Sequence, residues 1–223
     1  MDIKVDTNTV VCFDLDDTLY NEIEYLKSSY KEIAQHLEGH HWKPLYARMF
    51  SLYRQKNDVF SFLTETYTTI SKEQLLTLYR NHKPNITLFP EIRNIFDAIK
   101  KHGGILVVIT DGRSVTQRNK IQSLGIQSYL DRIVISEEIG TEKPSETNFK
   151  VIEEDFENGR YYYFGDNFKK DFITPNKRNW ISVGLLDNGL NIHNNTYAHY
   201  TEGLAPQHLI ASFREVKVVS AQD

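Results

Sequence analysis

The chain has 223 residues, 40% hydrophobic and 25% charged, with a formal net charge of −4. That length allows one large domain or a core with a smaller inserted module, and it buries a core without covalent staples. The mildly acidic balance excludes a broad basic field, so no nucleic-acid polymer is expected as a partner.

Met1 to Thr9 is polar and lacks the apolar stretch of a signal peptide. Val10 to Asp14 reads as a short buried strand ending on a carboxylate. Within it lies Cys12, the single cysteine, which forms no intramolecular disulfide and reads as a packed small hydrophobe. About ninety residues without a convincing strand follow, far beyond a normal crossover. They carry helical stripes instead. Ile23, Leu26, Tyr30, Ile33 and Leu37 form one, and Trp42, Leu45, Tyr46, Met49, Phe50 and Tyr53 a second. Val59 to Tyr67 is a weaker third. Ser71 and Gln74 open a fourth as a capping box, ahead of Leu75, Leu78 and Tyr79. Residues 21–84 are therefore expected to form an inserted all-helical bundle.

Beyond it, Ile92, Ile95, Phe96 and Ile99 predict a helix that Lys100, Lys101 and His102 suit and Gly103 stops. Ile105 to Thr110 is the second strand; its apolar run is too short to span a bilayer. Ser114 and Gln117 resemble a capping box for a helix towards Leu124 and Gly125. Further strands are predicted at Arg132 to Ile135, Tyr161 to Phe164 and Trp180 to Leu185. Ser145 caps a helix with Phe149, Ile152 and Phe156 on one face, and Asn158-Gly159 makes a turn. The tail after about Ser212 is expected to fray. Strands alternating with helices predict an α/β fold: a Rossmann-like open parallel sheet with helices on both faces. Residues 1–20 and 85–223 would form this core. A cytoplasmic monomer without membrane contact is the default expectation.

In open parallel sheets ligands bind beyond the carboxyl ends of the strands. The first strand ends in Asp14-Leu15-Asp16-Asp17-Thr18 and the second in Thr110-Asp111-Gly112-Arg113. Glu142-Lys143-Pro144 follows the third; Gly165-Asp166-Asn167 follows the fourth, with Asp171 shortly after. Carboxylates gathered on one rim repel unless a cation joins them, and hard oxygen ligands favour Mg2+. Asp17 reads as a turn or helix cap.

This series of motifs, in this order, resembles the haloacid dehalogenase-like superfamily over essentially the whole chain. The resemblance identifies the helical insert as a cap and assigns roles. Asp14 would attack phosphorus and form an aspartyl-phosphate. Asp16 would serve as acid and base, and its backbone carbonyl would ligate the metal. Thr110 would bind phosphoryl oxygens with backbone N–H groups around Leu15 and Asp111. Lys143 would neutralise developing charge and pair with Asp14. Asp166 would ligate Mg2+ with Asp14, and Asp171 would bind a metal water or orient Lys143. Asp111 stands where Asn is commoner, which alters the local anion site, and Arg113 is a candidate substrate contact.

Asp16 argues against a dehalogenase, because a carboxyl two residues after the nucleophile serves an alkoxide leaving group. Gln117-Arg118-Asn119-Lys120-Ile121 and Ile135-Ser136-Glu137-Glu138 resemble bacterial nucleotidases and N-acylneuraminate-9-phosphatase-like proteins. The implied activity is Mg2+-dependent hydrolysis of a small phosphorylated metabolite: a sugar phosphate, an acid-sugar phosphate or a nucleoside monophosphate. A phosphomutase of the same fold and a non-catalytic phosphate-binding module are the alternatives. Glu22, Tyr25, Arg54 and Lys56 are polar candidates within the insert.

Overall fold

A computed structural model describes residues 1–157, 159–201 and 203–221. The chain opens with β1 (Asp2–Val5) and β2 (Thr9–Phe13), then four helices, α1 (Glu22–Glu38), α2 (Trp42–Arg54), α3 (Val59–Thr66) and α4 (Lys72–Asn81). Next come α5 (Ile92–Lys101), β3 (Ile105–Thr110), α6 (Ser114–Leu124), β4 (Arg132–Ile135), α7 (Ser136–Ile139) and α8 (Thr147–Asp155). The chain then runs through β5 (Arg160–Gly165), α9 (Ile173–Lys177), β6 (Ile181–Leu185), β7 (His208–Ile210) and β8 (Lys217–Ser220).

Six strands form one sheet in the order β4-β3-β2-β5-β6-β7, and every pairing is parallel. The expected α/β architecture is the observed one. The order reverses around β2, whose neighbours are β3 and β5, so the crevice of such sheets opens at their carboxyl ends. Register then sets the rim. Phe13 lies opposite both Val108 and Phe164, so Asp14 emerges beside Ile109 and Gly165, one step before Thr110 and Asp166.

The two faces of β2 show why the strand is buried throughout. Val11 and Phe13 join one core, where Phe13 stacks on Phe164 at 4.9 Å. Val10 and Cys12 join the other, with Phe149, Tyr163 and Trp180. Each large apolar side chain so buried contributes about 1.5–3 kcal/mol of transfer free energy. Cys12 is packed and unpaired, as its apolar run implied.

The four helices of the insert share a core of their own. Ile23, Leu26, Tyr30 and Ile33 of α1 pack with Leu45 and Met49 of α2, Leu63 of α3 and Leu75 of α4. The Ser71–Gln74 capping box is formed, with both reciprocal bonds present. No helix among the described residues is long and apolar enough to cross a membrane.

Three local expectations need correction. Among the described residues the tail is paired through Ser220: β8 lies beside β1 in a two-stranded parallel sheet, Asp2 against Lys217 through Val5 against Ser220. The three-residue β7 extends the main sheet beyond β6. Ser114 and Gln117 do not form a capping box. Glu137 accepts the Ser114 N–H at 2.7 Å, placing a carboxylate at the positive end of α6, and Gln117 turns inward. Ser145 is not the N-cap of α8, which begins at Thr147 after Glu146. Asn158, half of the expected Asn158-Gly159 turn, lies outside the described residues.

Candidate active site

Asp14 continues β2 past its last paired residue, and its backbone N–H still donates to the Phe164 carbonyl at 2.8 Å. This fixes the carboxylate at the rim. Lys143, reached by the loop after α7, has a fully buried side chain. Its Nζ donates to Asp14 Oδ1 at 2.5 Å and Tyr163 Oη at 3.1 Å, and lies 2.8 Å from Asp171 Oδ1. Three acceptors thus meet the three N–H groups of the ammonium. The other oxygen of Asp171 accepts the Asn167 N–H at 2.9 Å. Asp171 is therefore spent on holding Lys143 and the loop after β5.

Asp16 faces the same cavity from the other side. Lys120 Nζ donates to both of its oxygens, at 2.7 and 2.8 Å. Gln117 Nε2 adds a bond of 2.9 Å, and the Tyr20 hydroxyl donates as well. Burial opposes the charge of Asp16, but Lys120 and these hydrogen bonds outweigh it and hold the carboxyl below its usual range. Gln117 Nε2 also donates to Thr110 Oγ1 at 2.6 Å. With that oxygen used as an acceptor, the Thr110 hydroxyl hydrogen is left to donate elsewhere. Lys120 lies 3.7 Å from Glu22, the first residue of α1. Burial, then the neighbouring Asp16 charge, pushes Glu22 up to about 8, so near neutrality the lysine serves Asp16.

Asp14, Asp166 and Asp171 are all buried and present oxygens within 4.8 Å of one another. Burial, then the charges of Asp171 and Asp14, raises Asp166 well above the carboxylate range. Burial likewise raises Asp14 to about 7, even with Lys143 beside it. One ammonium among three buried carboxylates leaves negative charge uncompensated, and the donors are hard oxygens. Mg2+ fits this set. Asp14 and Asp166 line the cavity, whereas Asp171 lies behind it against Lys143, so Asp14 and Asp166 are the side chains that would hold it. Asp166 is steadied by Asn191 Nδ2 at 2.9 Å.

A family model for haloacid dehalogenase-like hydrolases matches residues 11–184. The chain belongs to that family. Among its relatives are the pyrimidine 5'-nucleotidase YjjG of Escherichia coli, 30% identical over 134 residues, and the glyceraldehyde 3-phosphate phosphatase of Methanocaldococcus jannaschii, 24% identical over 221 residues. The first match covers 59% of this chain and 56% of the relative, the second 86% and 91%. The chain thus spans little more than half the length of the nucleotidase. In fold it is similar to the magnesium-bound HAD-hydrolase YfnB from Bacillus subtilis. That likeness has a TM-score of 0.64 at 15% identity and covers 96% of this chain and 97% of the other. The L-2-haloacid dehalogenase from Xanthobacter autotrophicus gives a TM-score of 0.61 at 11% identity, covering 92% and 94%.

Within this haloacid dehalogenase-like frame, Asp14, Asp16, Thr110, Lys143, Asp166 and Asp171 converge. Asp111 joins them: its Oδ1 accepts the Lys143 N–H at 3.0 Å. The Leu15 side chain is buried in the core, leaving only its backbone for the rim. Arg113 does not line the cavity; it is 57% exposed and pairs with Glu137 at 2.6 Å. Asp17 acts as the turn residue it resembles, accepting the Glu22 and Ile192 N–H groups at 2.8 Å. Of the polar residues in the insert, Glu22 lines the cavity, whereas Arg54 lies over the Phe50 ring and Lys56 is exposed. Sequence reasoning missed Gln117, Lys120, Lys170 and His193 as site residues. Gln117 and Lys120 are spaced to share a helix face with Ile121 and Leu124, and polar residues on a buried face were the available signal.

Gly165 is required where β5 meets this site. A Cβ there would lie 2.6 Å from Asp171 Oδ2 and 3.0 Å from its Cβ. Gly165→Ala should push Asp171 away from Lys143, lower stability by about 1–3 kcal/mol and depress turnover more than tenfold. Thermal melting and steady-state rates on the purified variant check both effects.

Proposed function

We propose that this chain is a Mg2+-dependent phosphomonoester hydrolase working through an aspartyl-phosphate on Asp14. The observation that carries the reading is the buried Lys143 ammonium between Asp14 and Asp171, with Asp16 fixed across the same cavity. Lys143 draws charge from Asp14 and leaves one oxygen of that carboxylate free to attack. Attack on phosphorus forms the bond to Asp14 and breaks the ester bond, and the departing oxygen takes its proton through Asp16, which first collects it from the substrate monoanion or from solvent because Lys120 holds it as the carboxylate. In the second half Asp16 takes a proton from water, which displaces Asp14 and releases phosphate. The carboxylate form held by Lys120 suits this step. Thr110, its oxygen already occupied by Gln117, directs its hydrogen to the phosphoryl group. Mg2+, bound to Asp14, Asp166 and the Asp16 carbonyl, would screen the repulsion between carboxylate and phosphate.

Residues 21–84 form the cap of this proposal, and residues 1–20 and 85–223 the core. Glu22 lines the cavity from the cap side, and Ile192 of the core packs against the cap helices. The cavity is small, about 90 Å³, and suits the phosphoryl group itself, with the rest of the substrate outside it. Sugar phosphates, acid-sugar phosphates and nucleoside monophosphates are the substrate classes. The nucleotidase and triose phosphate phosphatase activities named for its relatives fall within the same range.

Phosphate release from a panel of these compounds, with Mg2+ and with EDTA, tests the reading. Turnover of one class that chelation removes is the expected result. Release undiminished by EDTA, or none from any compound, would overturn it.

A further inference from the structure

The lysines of this site divide into those whose donors are spent and one whose donors are not. Lys143 has three N–H groups and three acceptors. Lys120 gives two bonds to Asp16 and has Glu22 as its third neighbour. Lys170 differs. Among the described residues, its Nζ has one partner, Asp111 Oδ2, at 2.6 Å. Its side chain is 30% exposed, and it lines the cavity with Asp14, Asp16, Thr110, Asp166 and His193.

Asp111 explains why Lys170 stays there. Its Oδ1 accepts the backbone N–H of Lys143, and its Oδ2 holds Lys170. One carboxylate therefore ties the catalytic lysine's backbone to the second ammonium. An Asn at this position would keep the first bond without supplying the charge that anchors Lys170.

An incoming phosphoryl dianion meets a cavity lined by Asp14, Asp16, Asp17, Glu22, Asp111 and Asp166. It needs cationic donors that are not already committed. We infer that Lys170 is a binding residue for the phosphoryl group, with Asp111 as its positioning partner. The inference rests on the phosphatase reading of the same site. Lys170 gives one or two charge-assisted hydrogen bonds to phosphate oxygens while keeping its bond to Asp111. It takes no part in bond making, so its contribution falls on affinity more than on the chemical step.

Inorganic phosphate, titrated calorimetrically into the full chain with Mg2+, tests this independently of any substrate. Lys170→Met should weaken phosphate binding by about tenfold to a hundredfold, the range for a hydrogen bond to a charged group. Lys170→Arg should retain most of the affinity. Lys170→Gln, which keeps a hydrogen bond to Asp111, serves as a second neutral variant should the methionine protein fold poorly. With a substrate in hand, KM should rise far more than kcat falls, a split that mere loosening of the fold would not give. Equal phosphate affinity in parent and neutral variants would overturn the inference, as would failure of the parent to bind phosphate. Loss of Mg2+-dependent turnover in the parent would count against the phosphatase reading alone.

Discussion

Asp14→Asn protein should fold as its parent does and release phosphate at least about a thousandfold more slowly. The amide keeps the shape of the carboxylate and can still accept from Lys143, but it cannot attack phosphorus. The charge balance argues that folding survives. Asp14, Asp166 and Asp171 share one buried ammonium, so removing one negative charge relieves repulsion. The pH dependence follows in sign. Burial raises Asp14 from its ordinary 3.8 to about 7, so the native state of the metal-free parent binds more protons than the unfolded chain between those values. The parent in EDTA therefore loses stability as pH rises through this window, and the asparagine variant lacks that loss. Melting curves in EDTA from pH 4 to pH 8 should show the variant gaining on its parent towards the alkaline end. A folded variant with unchanged turnover would remove Asp14 as nucleophile.

The rim was legible in the sequence because parallel strands are short apolar runs and their carboxyl ends are where polar residues can gather. Asp14, Thr110 and Asp166 each end or follow such a run, and the register of β2 with β3 and β5 brings them within one residue of the same level. The bundle was legible for a similar reason: Ile23, Leu26, Tyr30 and Ile33 recur at helical spacing, and all four are buried. What escaped depends on contacts between distant segments. β1 alternates exposed and buried residues over four positions, and its partner β8 lies more than two hundred residues away. Lys120 reads as a helix-surface lysine until the fold carries it across 104 residues to Asp16. Lys170 sits between two motif carboxylates, yet nothing in its neighbours reveals that Asp111, 59 residues earlier, will hold it. Arg113 is the converse case. Its position beside the motif suggested a substrate contact, but the start of α6 turns it outward to Glu137.

Lys143→Met should cost both stability and activity, and the two losses have separate causes. Methionine matches the length and apolar stem of lysine, so packing against Tyr163 is largely kept. The ammonium is not replaced. Asp14 and Asp171 then face each other in a buried site with no cation between them, and Tyr163 loses a donor. Removing one partner of a buried ion pair costs about 3–5 kcal/mol. For a chain of this size, that corresponds to a fall in Tm of about 6–20 °C. Turnover should fall by a further factor, about a hundredfold to a thousandfold, because no fixed positive charge remains opposite the reacting phosphoryl group. Lys143→Arg separates the causes. It restores a charge and can recover part of the stability, but the guanidinium fork does not fit a pocket in which one nitrogen meets three acceptors. Melting temperatures and single-turnover rates for both variants decide the matter. A methionine variant that melts with its parent would mean that Asp14 and Asp171 do not depend on Lys143 for their burial. A stable arginine variant with parental turnover would reduce the role of Lys143 to its charge, leaving its three-acceptor geometry without catalytic consequence.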